Sequence, residues 1–181
     1  MNVPKNLFYS CNFLYVGASW FCRMSIREYN EAVDLWSNRI FGFVLKLVRD
    51  KELAEDLVQD VYEKLWKKKD VVEAGKSKAY LFTSAYNAVV DWSRREKLKN
   101  NIPASMEVAE QDHSGELKAL IDKGLERLSL QQKQLILLRD YEDYSYAEIG
   151  EITSLSESMV KVTLFRARKE LKEFITLHWT A

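Results

Sequence analysis

The chain has 181 residues, of which 47% are hydrophobic and 30% charged, with only 6 Gly and 2 Pro. So few turn formers argue against an all-β sandwich or barrel, and long charged segments with recurring Leu, Ile and Val point to an all-α protein. Lys plus Arg and Asp plus Glu balance at 27 each, so bulk charge implies no polyanion partner, and any nucleic-acid contact must come from local patterning. Two cysteines, Cys11 and Cys22, are too few for a disulfide scaffold. With His113 and His178 the only histidines, no metal-ligand cluster of the usual spacing can be assembled. No apolar stretch reaches the roughly 18–20 residues that span a bilayer, and a reduced, cytoplasmic chain is the expectation.

Residues 1–24 form an N-terminal extension outside the periodic sequence. Its apolar part, Leu7 to Cys22, is interrupted by Ser10 and Asn12 and preceded only by Lys5. It reads either as a signal peptide or as sequence upstream of a genuine start at Met24. From Ser25 to Val48, Tyr29, Val33, Trp36, Ile40, Val44 and Leu47 recur three or four apart and predict a first amphipathic helix. Asp50 reads as the N-cap of a second, whose stripe is Leu53, Leu57, Val61 and Leu65, with Trp66 at its end. A polar stretch with Lys67, Lys68, Lys69 and Gly75 separates it from a third helix over about Ser77–Lys97, with Phe82, Ala85, Val89 and Trp92 on one face. Residues 25–98 are thus one three-helix domain.

Residues 99–116 lose periodicity, contain Pro103 and Gly115, and predict a flexible linker. Residues 117–181 form a second helical domain. Leu117, Ile121, Leu125 and Leu128 begin it, and the run Gln131–Tyr141 continues it. A Ser145-x-x-Glu148 capping box opens a short helix, Tyr146–Ile152. After a turn at 153–155 a long helix runs from near Ser156 to about Leu177. Two helices joined by three residues, the second basic, have helix-turn-helix geometry. The expected fold is therefore all-α, with two small helical domains joined by a flexible linker.

Neutral overall charge hides segregation. Residues 50–63 hold six acids and one base, whereas residues 64–99 hold ten bases and four acids. Residues 140–157 hold six acids and no base, and residues 158–172 hold five bases against Glu170. Any one such run could be only a solvated helix face. Two basic surfaces on two linked domains suit bipartite contact with one long polyanion. In the third helix Phe82 and Trp92 fit the core stripe, while Tyr80 and Tyr86 could stack on unpaired bases. Asn87 suits a base edge, and Arg94 and Arg95 suit phosphates. There is no Gly-rich phosphate loop, no His-centred nucleophile pair and no converging pair of carboxylates, so no enzyme activity is expected.

The run Leu53-Ala-Glu-Asp-Leu-Val-Gln-Asp-Val-Tyr-Glu-Lys-Leu-Trp66 resembles the polymerase-binding helix of extracytoplasmic-function sigma factors of the sigma-70 family. Residues Ala79 to Arg95 are similar to the promoter-melting, minus-10-reading helix of that group. Tyr144-Ser-Tyr-Ala-Glu-Ile-Gly150 and Leu155 to Leu171 resemble the opening and the minus-35 recognition helix of its second conserved domain. The resemblance implies a sigma factor that binds core RNA polymerase and recognises and melts promoter DNA. It assigns Asp56, Gln59, Asp60 and Glu63 to the polymerase contact, and the physical reading agrees, since an acidic stripe gives steering and register against a basic partner. It implies that Lys67 to Lys78 shape a pocket for a flipped base. Lys76, Lys78, Tyr80, Asn87, Asp91, Arg94 and Arg95 would then meet the minus-10 strand. Ser158, Lys161, Val162, Phe165, Arg166 and Arg168 would meet the minus-35 groove. Further implied are an anti-sigma partner, which a membrane anchor could carry, no cofactor, no metal and no small-molecule substrate.

The sequence departs from the family in places. Ser154 stands where the turn usually has Gly, at a position that tends to need positive φ. Met159, Val162 and Thr163 replace residues that are often Thr, Ser and Arg. A stand-alone helix-turn-helix regulator would have no need of the acidic Leu53–Trp66 helix. A purely protein-binding adaptor would leave the second basic helix unexplained.

Overall fold

The computed structural model describes residues 24–99 and 116–179. The linker and most of the N-terminal extension lie outside the described residues. Seven α-helices are present among those described: α1 (Ile26–Val48), α2 (Lys51–Lys67), α3 (Ser77–Lys99), α4 (Glu116–Arg127), α5 (Leu130–Ile136), α6 (Tyr146–Thr153) and α7 (Glu157–His178). A single 3-10 turn, Ala74–Lys76, precedes α3, and α5 runs on into one wide π-turn, Leu137–Tyr141.

Local chemistry fixes the helix ends of the first domain. Ser25 Oγ accepts from the Glu28 N–H while the Glu28 carboxylate accepts from the Ser25 N–H, a reciprocal capping box. Arg49 closes α1 in the left-handed region at φ 60°, its N–H bonded to Leu45 O at 2.8 Å. Asp50 then caps α2 by accepting from the Leu53 N–H at 3.0 Å. Ile40, Val44, Leu57, Val61, Leu65, Leu81, Phe82, Ala85 and Val89 fill the space between the three helices. Phe43 meets Phe82 edge to face at 5.5 Å.

Two features differ from the expected pattern. Met24, grouped by the sequence with the extension, is 2% exposed, and its N–H donates to Lys69 O at 2.9 Å. It therefore closes the base of the first domain. Trp92, expected in the core, is half-buried and packs against the edge of the core.

The second domain follows the same logic. Reciprocal capping boxes join Ser129 to Gln132 and Ser145 to Glu148, the second one expected from sequence. Leu125, Leu128, Leu135, Leu138, Ile149, Ile152, Val160, Leu164 and Ala167 make its core. Leu117, expected on the apolar stripe of α4, is 46% exposed, and the stripe meets the core from Ile121 onward. That crossing is close at Gly124, where an added Cβ would lie 2.5 Å from Leu171 Cδ1. The α6–α7 turn has the expected left-handed residue: Ser154 sits at φ 59°, ψ 29°. A Cβ at Gly150 would lie 2.8 Å from Leu155 O, so glycine there lets the turn fold back onto α6.

Candidate nucleic-acid and partner interfaces

On α2 the buried stripe of Ala54, Leu57, Val61 and Leu65 turns Asp56, Gln59, Asp60 and Glu63 outward, and all four are exposed. Asp56 and Asp60 have no ion-pair partner among the described residues. Glu63 accepts from Lys67 one turn later, at 2.5 Å, and that hydrogen bond and charge hold its carboxyl below the usual range. The result is an acidic ridge along the outside of the first domain.

The α3 surface is more restrained than its sequence suggests. Asn87, Asp91, Arg94 and Arg95 are exposed, but Tyr80 and Tyr86 are half-buried, and burial pushes the Tyr86 phenol up. Arg94 lies 3.9 Å from Asp91, and Arg95 Nε donates to Asp91 O at 3.3 Å. Lys76 is exposed and pairs with Glu73 at 3.0 Å. Lys78 faces away from these residues, donating to Glu142 O of the second domain at 3.2 Å and lying 4.4 Å from the Tyr144 ring centre. In this arrangement Lys78 is not free to meet DNA.

On α7, Val160, Leu164 and Ala167 are buried, which turns Ser158, Lys161, Val162, Phe165, Arg166 and Arg168 outward. The outward face carries both charge and grease. Phe165 is 71% exposed, and Met159 and Val162 beside it are also exposed. Apolar side chains at that spacing suit thymine methyl groups in a major groove. Met159 was not among the expected contacts, although its threefold spacing from Val162 and Phe165 was legible. Lys161 pairs with Glu157 at 2.6 Å, and that bond raises its ammonium pKa. Arg168 Nε donates to Asp140 Oδ2 at 3.2 Å and its pKa is raised likewise. Any phosphate reaching either cation competes with these carboxylates.

The sequence did not indicate that the two domains pack against each other. The segment from the π-turn to α6, with Asp143 at φ 60°, presses Glu142 and Tyr144 against α1 and the start of α3. Glu142 is 7% exposed, with Oε2 2.8 Å from Arg39 Nη2, and burial pushes its carboxyl up despite that arginine. Tyr144 meets Phe82 edge to face at 5.4 Å. Lys46 pairs with Asp122 at 3.2 Å, and Arg49 pairs with Glu126.

Residues 32–98 match the family described as Sigma-70 region 2, and residues 118–171 match Sigma-70, region 4, about two thirds of the chain between them. The chain belongs to the sigma-70 family of RNA polymerase sigma factors. Its relatives place it in the extracytoplasmic-function group. It is 28% identical over 150 residues to the ECF RNA polymerase sigma factor SigM of Bacillus subtilis, covering 79% of this chain and 92% of that one. It is 27% identical over 154 residues to the ECF RNA polymerase sigma factor SigK of Mycobacterium tuberculosis H37Rv, covering 78% and 82%. Among solved structures, the sigma factor RpoE of Bartonella quintana, in complex with the anti-sigma factor NepR, superposes with a TM-score of 0.76 at 26% identity, covering 85% of this chain and all of that one. This sigma factor thus binds core RNA polymerase and directs transcription initiation at promoters. Among the described residues no helix is long and apolar enough to cross a membrane.

Proposed function

We propose that the sigma factor divides its work by surface. The α2 ridge of Asp56, Gln59, Asp60 and Glu63 docks on a basic face of core polymerase. The α3 face of Tyr80, Asn87, Asp91, Arg94 and Arg95, with Lys76 and Lys78 from the preceding loop, holds the melted minus-10 strand. The α7 face from Ser158 to Arg168 reads the minus-35 groove. Residues 25–98 and 117–181 are the two working units, with 99–116 the linker between them. The observation that carries this is the outward acidic ridge on one helix of a chain whose two other outward faces are basic. A protein that only bound DNA would gain nothing from that ridge.

The chain supplies recognition and strand separation, and the bond-making belongs to the polymerase. Its setting is the cytoplasm. By analogy with RpoE and NepR, an anti-sigma protein is its regulatory partner. Promoter elements about 25 base pairs apart lie about 85 Å apart on B-form DNA at about 3.4 Å per pair. In the packed arrangement α3 reaches α7 through α6, within a body of about 140 residues whose radius of gyration is about 14 Å, well short of that span. The Glu142–Arg39 interface must therefore open for both elements to be held at once, and that releases Lys78 for the minus-10 strand. Run-off transcription with purified core polymerase on a promoter library tests the reading. Transcripts must appear with the parent and vanish with Asp56→Lys/Asp60→Lys. Equal transcription from that variant would sink the docking assignment.

A further inference from the structure

Between the two domains a cavity of about 400 Å³ is lined by Lys46 and Arg49 of α1, by Lys118, Asp122, Lys123 and Glu126 of α4, and by Lys133 of α5. Five cations face two carboxylates there, and both carboxylates are already engaged, Asp122 by Lys46 and Glu126 by Arg49. Lys133 is 8% exposed, and its side chain has no hydrogen-bond or ion-pair partner among the described residues. Lys118 and Lys123 are exposed on α4, likewise without a partner among them.

Lys133 has a largely buried stem, but its Nζ is not among the fully buried unpaired atoms, so the ammonium opens to the cavity it lines. A lysine so placed, without a carboxylate in ion-pair reach, is disfavoured as a cation until an anion arrives. Burial, and then the Arg49 charge, push Lys133 down to about 8. The cavity volume lies in the small-molecule range. Lysines of α4 and α5 lining one cavity, in excess over its carboxylates, suit a compact anion with several oxygens, and lysine is a common point-charge partner for phosphate.

We propose that this cavity binds a small phosphorylated ligand carrying at least two negative charges, held by Lys133, Lys118 and Lys123 beside the Arg49–Glu126 pair. The site exists only while the domains are packed, since α1 comes from one and α4 and α5 from the other. A ligand bound there stabilises the packed arrangement by mass action and opposes its opening on the promoter.

The test is calorimetric titration of pyrophosphate into the full chain at fixed ionic strength and pH 8, in two buffers of different ionisation enthalpy. One site is expected, with a net proton exchange that includes uptake by Lys133, as the bound anion returns it to its charged form, set against release from the partly protonated pyrophosphate. Lys133→Met, which keeps the length of the side chain and removes the charge, should weaken binding about tenfold or more and abolish the Lys133 part of that exchange. The exposed pair Lys118→Ala/Lys123→Ala should weaken it several-fold, and carries the same test if Lys133→Met alters the fold. Arg94→Ala/Arg95→Ala, on the α3 face, should leave pyrophosphate affinity unchanged. The proposal is overturned by absence of binding, by undiminished binding in both lysine variants, or by binding that is lost with Arg94 and Arg95 instead. Each of those results leaves the promoter reading standing.

Discussion

Replacing Arg39 with Glu places a second carboxylate against Glu142, whose Oε2 lies 2.8 Å from the arginine in the parent. The side chain of Arg39 is 41% exposed and that of Glu142 8%, so the pair is screened on one side only. After discounting for that solvent, losing the attraction costs about 1 kcal/mol and the new repulsion about as much again. About 2 kcal/mol multiplies the ratio of open to packed molecules about 30-fold. Small-angle X-ray scattering on the parent, Arg39→Glu, Glu142→Arg and the double exchange reads this directly, as a larger radius of gyration in each single variant. The double exchange should recover part of the compaction, limited because the guanidinium brought in by Glu142→Arg would crowd Lys78. Acidity provides a second readout. Burial holds the Glu142 carboxyl above its unfolded value, so the stability it adds to the packed form is fully present below the unfolded pKa and is lost as pH rises through the raised one. The parent should therefore compact further on mild acidification. Single variants that scatter like the parent, or a double exchange no more compact than either, would refute the assignment of Arg39 and Glu142 as the clasp between the domains.

Asp56→Lys/Asp60→Lys should weaken core-polymerase binding strongly while shifting stability by no more than about 0.5 kcal/mol, because both side chains are exposed and off the buried stripe; pull-down and thermal unfolding check the two halves. Lys161→Ala should relax preference at one or two minus-35 base pairs at a cost of about 1–3 kcal/mol. Arg168→Ala should weaken all sequences alike and lower the salt slope by about one unit. Holoenzyme binding across a substituted promoter library at several salt concentrations separates them, and uniform weakening by Lys161→Ala would mean that α7 lies rotated in the groove. Ser154→Gly should stabilise the second domain by about 0.5–1 kcal/mol, since glycine removes the left-handed penalty at φ 59° and returns part of that gain as unfolded-chain entropy. A lower melting temperature would show that the Ser154 side chain contributes more than its backbone costs.

The helices, their starts and most of their buried faces were legible in the sequence. These rest on contacts within one turn: a Ser or Asp at a cap, apolar side chains every three or four residues, and a left-handed Ser154 where Gly is usual. Which residues point outward on α2 and α7 was legible too, because there the side chains off the stripe face solvent; on α3, Lys78, Tyr80 and Tyr86 are partly buried although they lie off it. Packing between distant segments settled the rest. Glu142 read as one of six acids on a solvated stretch, yet it is buried against Arg39 of the other domain. Lys78, which the resemblance gives as a DNA contact, donates to Glu142 O in the packed arrangement. Lys133 lies in the run Gln131–Tyr141 read as helical, and the structure places it in the wall of a cavity between the domains with no ion-pair partner of its own. Each of these depends on residues 64 or more positions away, or on a neighbouring domain. Periodicity carries no information at that range, because a charged side chain looks the same in sequence whether water or a partner helix lies beyond it.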